Sequence, residues 1–162
     1  MLNQITIRAI VEDDNERLAS IIRSSLLEFG AARPGTVYFD ESTDHLFEVF
    51  KKSGSVYFVA VKNNIVIGGA GIYPTGGLPA HVCELVKMYL SNEARGYGLG
   101  KLLLQTCIIA ARKHGYTKMY LESMPELKTA IAMYTKAGFT FINKAIGNSG
   151  HTGCSIWMTK EL

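Results

Sequence analysis

Apolar and polar side chains alternate from Ile5 to Ile10, the period of a strand with one buried face. The period then lengthens. Leu18, Ile21, Ile22 and Leu26 fall on one face of a helix that Asp13 or Asp14 can cap and that runs to about Phe29, where Gly30 to Gly35 (GAARPG) breaks it. A second helix is predicted from Ser42 to Lys52. Ser55 to Lys62 and Ile65 to Tyr73 read as two strands of a hairpin turned at Asn63 and Asn64. After a loop from Pro74 to His81 come a strand from Val82 to Leu90, a helix from Leu99 to His114 and a short buried strand from Lys118 to Glu122. A helix from Lys128 to Ala137 comes next, stopped by Gly138, and Phe139 to Lys144 and Cys154 to Thr159 close the sheet. No repeat, low-complexity tract or linker interrupts the order, which predicts one α/β domain over residues 1–162 with a mixed sheet flanked by helices.

The densest chemistry lies from Glu84 to Gly100, ELVKMYLSNEARGYGLG, where a strand runs through a glycine-rich turn straight into a helix. Arg95, Gly98 and Gly100 are spaced R-x-x-G-x-G, with Gly96 in addition. Glycines there let backbone N–H groups close around an anion at a helix N-terminus, and a guanidinium adds a permanently charged planar donor. The bland alternative is a tight turn that uses glycine only for packing. A dinucleotide fingerprint would need G-x-G-x-x-G and an acidic ribose ligand, and a nucleoside triphosphate loop would need Ser or Thr after Gly100 and Lys101, where Leu102 stands.

Composition adds exclusions. The 162 residues are 48% hydrophobic and 19% charged, which suits one core. No apolar run approaches the roughly 20 residues that span a bilayer, and the start lacks a signal-peptide pattern, so no membrane association and a cytoplasmic location are expected. Cys83, Cys107 and Cys154 are odd in number and set among apolar residues, which predicts reduced buried thiols and no metal. A net charge of +3 without a basic patch argues against a nucleic-acid partner, yet suits a polyanionic small molecule.

A second motif stands at Ala130 to Phe139, AIAMYTKAGF, a short helix ending in glycine and an aromatic. Together with R-x-x-G-x-G, this A-x-x-x-Y-x-x-x-G-F segment resembles the signature of the GNAT superfamily of acyl-CoA-dependent N-acetyltransferases. The resemblance covers most of the chain and is specific at the two motifs. It implies the acyl-CoA N-acyltransferase fold and acetyl-CoA as cosubstrate without a metal; the expected acceptor is a primary amine of a small amino-acid-like molecule, which Arg33 with Lys87 would suit. Homodimerisation is left open. On that resemblance the pantetheine arm pairs with the backbone of Met88, Tyr89 and Leu90, an N–H of that strand supports the oxyanion, and the turn Arg95, Gly96, Tyr97, Gly98, Leu99, Gly100 and Lys101 holds the pyrophosphate.

Two side chains are candidates for proton transfer. Glu84 stands with Lys87 in a strand expected to be covered on both faces, and charges are buried only when paired or functional. It is either the base that takes the amine proton or a structural acid paired with Lys87. Tyr134 occupies the place of the superfamily's general acid, with core packing as the other reading. Leu127 stands where many members carry Asn, seven residues before the tyrosine, so the resemblance does not extend to the contact by which that Asn meets the pantetheine or orients the thioester. On the acceptor side Arg33, Tyr38, Tyr73, His81 and His151 are the polar candidates, Arg33 as a carboxylate clamp and His151 as a second proton acceptor. Acetylation of peptide lysines or N-termini, or acyl-CoA binding without catalysis, would use the same motifs.

Overall fold

The computed structural model describes residues 4–162. Seven strands form one sheet in the order β1-β2-β3-β4-β5-β7-β6. They are β1 (Ile5–Ala9), β2 (Val56–Lys62), β3 (Ile65–Tyr73), β4 (Val82–Leu90), β5 (Lys118–Ser123), β6 (Thr140–Ile142) and β7 (Ile156–Glu161). Neighbours are antiparallel except β4 and β5, whose parallel pairing needs the crossover that helix α3 (Leu99–Lys113) supplies. Helix α1 (Asn15–Glu28) buries Leu18, Ile21, Ile22 and Leu26 against one face, with Tyr57, Val59 and Val61 of β2. The other face carries α3 and α4 (Lys128–Lys136) over Ala60, Ile72, Cys83, Leu85 and Met119. The mixed sheet flanked by helices is therefore as expected.

Local signals explain most boundaries. Asn63 and Asn64 adopt φ of 50° and 64°, the left-handed pair that a two-residue hairpin loop demands. Gly138, at φ 96°, ends α4, with its N–H bonded to the Thr135 carbonyl and the Phe139 N–H bonded to that of Tyr134. This C-cap claims Phe139, so β6 is shorter than predicted. The expected helix from Ser42 to Lys52 is instead a tight turn over Glu41–Asp44 and a single helical turn, α2 (Leu46–Val49). Side chains compete with the helical ladder there: Thr43 donates to the Val37 carbonyl, and Asn15 accepts the Phe47 N–H at 2.8 Å.

Two irregularities of β4 break the regular pairing at the centre of the sheet. Its parallel ladder with β5 ends at Glu84 opposite Tyr120, beyond which β5 bonds only to β7 and the strands part. On the other edge, Gly71 pairs with Val86 and Gly69 with Tyr89, so Lys87 and Met88 together oppose Ala70. Lys87 sits at φ 49°, a left-handed bulge residue that is not glycine.

Candidate active site

The parting of β4 from β5 opens a cleft of about 1540 Å³ that reaches from Glu84 along β4 to the Gly96–Lys101 turn, with α4 as its far wall. At the turn, Gly96 and Gly98 have φ of 84° and 76°, and no described atom lies within 4 Å of where a side chain would begin. The first bond of α3 runs from the Leu102 N–H to the Gly98 carbonyl at 3.1 Å. Among the described residues, no backbone carbonyl receives the N–H groups of Leu99, Gly100 or Lys101. An open concavity floored by unbonded amides at the positive end of a 15-residue helix has the geometry and polarity that suit an anion.

Arg95 departs from its expected place. Its guanidinium pairs with Glu28 at 2.6 Å, bonds to Ser25 Oγ and the Leu90 carbonyl, and lies over the Phe29 ring at 4.8 Å. It therefore ties the turn and the end of β4 to α1, and does not extend a free fork toward an anion. Leu99 is buried in the core, so only its backbone is open to the turn, and Tyr97 is 79% exposed and not among the residues that line the cleft. Gly100 faces Met133 Sδ, Leu90 and Met88, which brings α4 close to β4.

At the other end Glu84 is 3% exposed and accepts a hydrogen bond from Thr75 Oγ1 at 2.6 Å. Burial pushes its carboxyl up to about 7; Thr75 opposes the shift, Glu122 adds to it, and His151 and Lys87 pull it back. Lys87 is the only nearby group that the sequence linked to it, and its Nζ lies 3.6 Å from Asp40. Burial draws the Lys87 ammonium down, against the pull of Asp40 and Glu84.

His151 joins this cluster, as its position in the late loop allowed. Its Nε2 meets Asp40 at 2.6 Å and its Nδ1 faces Glu122 at 3.7 Å. Those two carboxylates raise the imidazole to about 9, so near neutral pH it is a cation and not a free proton acceptor. Glu122 is lowered despite burial, because His151, Ser149 and Tyr120 donate to it. Burial likewise raises Asp40, but the hydrogen bond from His151 and the charges of His151 and Lys87 carry it below its ordinary value.

Tyr134 is 7% exposed, packs on Phe139, and turns its hydroxyl toward Met88 Sδ at 3.8 Å on the cleft wall. Burial holds the phenol strongly protonated. Leu127, at the start of α4, lines the cleft as an apolar contact.

The remaining acceptor-side candidates fall outside the cleft lining. Arg33 is spent in an ion pair with Glu126, which fastens the loop after α1 to the loop before α4. Tyr38 accepts Arg23 through its carbonyl and meets the Phe39 ring edge-on. Tyr73 stands opposite Glu84 in the ladder but rests on Phe50. His81 is exposed at the start of β4, where its carbonyl receives Thr117 and Lys118. Cys83 and Cys107 are buried free thiols, whereas Cys154 is half-buried and lines the cleft.

Sequence reasoning missed Asp40, Thr75 and Glu122. Glu122 carried a signal, a carboxylate inside a short strand read as buried, and the two loop residues carried none. Glu84, Glu122 and His151 bring three ligand-type atoms within 4.8 Å of one another. Each already holds a protein partner, so the triad is satisfied as a proton and charge network.

Comparison with known proteins bears on the fold and the family. The acetyltransferase (GNAT) family profile matches residues 15–139. An uncharacterised N-acetyltransferase of Escherichia coli, YjgM, is 38% identical over 96% of this chain and 93% of its own. A GNAT-family acetyltransferase structure from Staphylococcus aureus superposes with a TM-score of 0.83 at 18% identity, covering 98% and 99% of the two chains. A phosphinothricin acetyltransferase from Sinorhizobium meliloti, solved with acetyl-CoA, gives 0.75 at 27% identity over 98% and 88%. The fold and the cleft thus define an acyltransferase of the class that draws on coenzyme A thioesters. The chain belongs to the GNAT acetyltransferase family. Among the described residues, no helix is long and apolar enough to cross a membrane.

Proposed function

We propose that this enzyme transfers an acetyl group from acetyl-CoA to the primary amine of a small molecule by direct attack. The observation that carries the reading is the placement of a buried carboxyl, poised at about 7, at one end of the cleft whose other end is an open turn of backbone amides at a helix N-terminus. The cradle amides of Leu99 to Lys101 would hold the pyrophosphate, and the unpaired edge of β4 would receive the pantetheine. That a structural neighbour at 27% identity was solved with acetyl-CoA supports acetyl-CoA as the ligand of this cleft.

Glu84 takes the proton from the acceptor ammonium, which frees the nitrogen lone pair for the thioester carbonyl. As the tetrahedral intermediate collapses, Tyr134 supplies a proton to the departing thiolate. Burial keeps the phenol protonated, so it enters this step with a proton to give, and the same burial raises the basicity of a bare thiolate beside it. The charges of Lys87 and His151 balance those of Asp40 and Glu122, so the pocket can take an acceptor bearing both signs. An amino-acid-like amine fits, its ammonium toward Glu84 and its carboxylate toward Lys87 and His151.

The test is acetyl-CoA turnover against amino acids, polyamines, aminoglycosides and lysine or N-terminal peptides, read by thiol release and by product mass. Amino-acid-like amines should be the best acceptors. Turnover confined to peptides would replace the acceptor in this reading, and binding of acetyl-CoA without turnover of any amine would remove the enzyme assignment to Glu84 and Tyr134.

A further inference from the structure

Tyr57 projects from β2 and is 1% exposed, yet its hydroxyl is bonded two strands away. It donates to the backbone carbonyl of Lys87 in β4 at 2.7 Å. The intervening strand β3 permits this only because it carries glycine beneath the ring. A side-chain carbon at Gly69 would lie 2.5 Å from Tyr57 Cε1 and 2.8 Å from its hydroxyl, and one at Gly71 would lie 2.6 Å from Cδ2. Phe50 covers the ring from above at 5.0 Å between centroids.

The carbonyl that Tyr57 captures belongs to the strained residue of the bulge. Lys87 at φ 49° turns its carbonyl out of the ladder, in a left-handed region that strains a residue other than glycine. The Lys87–Met88 peptide is planar and trans, so its C=O and N–H point in opposite directions. A carbonyl fixed on Tyr57, on the α1 face of the sheet, leaves the Met88 N–H directed to the opposite side. Met88 lines the cleft there, with its sulfur near the Tyr134 hydroxyl.

We propose that Tyr57 is a positioning residue, whose hydroxyl locks the Lys87–Met88 peptide so that the Met88 N–H is aimed at the acetyl carbonyl as oxyanion donor. The inference rests on the acetyl-transfer reading. Burial keeps the Tyr57 phenol protonated, so it remains a donor across the working pH range. Gly69 and Gly71 are then the corridor through which a residue outside the cleft reaches the reaction, and Tyr57 touches neither substrate.

The experiment is infrared difference spectroscopy of carbonyl-labelled acetyl-CoA bound to the wild type and to Tyr57→Phe, which keeps the ring and deletes one oxygen. In the wild type the thioester carbonyl band should shift to lower frequency than in solution. In Tyr57→Phe at least half of that shift should disappear, with acetyl transfer slowed by roughly tenfold to a hundredfold at a temperature where the variant is fully folded. A merely structural bond would lower the melting temperature and leave the band where it is.

A shifted band that Tyr57→Phe leaves intact overturns the role of Tyr57 while the acetyl-transfer reading stands. An unshifted band in a wild type that binds and transfers acetyl overturns the donor itself, and failure to bind acetyl-CoA strikes the underlying reading. Should Tyr57→Phe not fold, the wild-type Met88 amide resonance decides. It must move further with acetyl-CoA than with coenzyme A, which lacks the carbonyl; equal movement overturns the proposal.

Discussion

The hydrogen bond from Thr75 to Glu84 makes the proposed base tunable from a residue that does not line the cleft. Thr75 is 9% exposed, and its Oγ1 donates to one Glu84 oxygen at 2.6 Å, the one protein hydrogen bond to that carboxylate among the described residues. It favours the charged form and opposes the burial that holds the group at about 7. Thr75→Val keeps the shape and removes the donor. A hydrogen bond to a charged group contributes roughly 1.5–3 kcal/mol, equivalent to about one to two pKa units. The acid limb of kcat, measured at saturating acetyl-CoA and amine, should therefore rise through about 7 in the wild type and one to two units higher in Thr75→Val. Rates should converge at the alkaline end, where both bases are ionised. Thr75→Ser should restore the wild-type limb, and Glu84→Gln should lose it while slowing transfer by about 10²–10⁴-fold. A limb that stays put in Thr75→Val, or survives in Glu84→Gln, would mean that another group is titrating and that Glu84 is a structural acid.

Three further perturbations bear on other parts of the cleft. Tyr134→Phe should fold and bind acetyl-CoA normally but slow single-turnover transfer by on the order of 10²-fold; an unchanged single-turnover rate would return the residue to packing. Gly98→Ala places a methyl in the open cradle at φ 76°, so coenzyme A affinity by calorimetry should fall tenfold or more, beyond the strain of about 1–2 kcal/mol read from the melting temperature. Undiminished affinity would empty the cradle of its role. His151 is raised from 6.5 to about 9, so its stabilisation is fully present below pH 6.5 and lost as pH climbs through 9. The melting-temperature gap between wild type and His151→Gln should accordingly be widest in acid and close across that window, and a gap independent of pH would contradict the charged imidazole.

The fold was legible because its elements announce themselves locally. Alternation marked β1, the Asn63–Asn64 pair marked the hairpin, and the 3.6 period marked α1 and α3 to within a residue or two of the observed ends. The failure at Ser42 to Lys52 has the same origin. Ser, Thr, Asp and His dilute the helical pattern there, and bonds from Asn15 and Thr43 offer the backbone other partners. The parting of β4 from β5 has no signal in the chain, since no periodicity reports where a ladder stops.

The site divides along a similar line. Gly96, Gly98, Glu84 and Tyr134 stand in motifs or break a local rule, so each could be named from the chain. Arg95 could be named but not aimed, because Glu28, which holds its guanidinium, lies 67 residues away. Asp40 could not be found at all: one acid in a polar loop looks like any other until the fold sets it against Lys87 and His151. Lys87 hid for the opposite reason. Left-handed bulge positions are sought at glycine or asparagine, and β4 offers neither, while the glycines that make the bulge workable sit one strand away at 69 and 71. The strain at Lys87 is tolerable because Tyr57 satisfies its carbonyl and Asp40 its ammonium, both from elements distant in sequence. A strained residue held from two sides is fixed in orientation, which is the property that an oxyanion donor on the adjoining peptide requires.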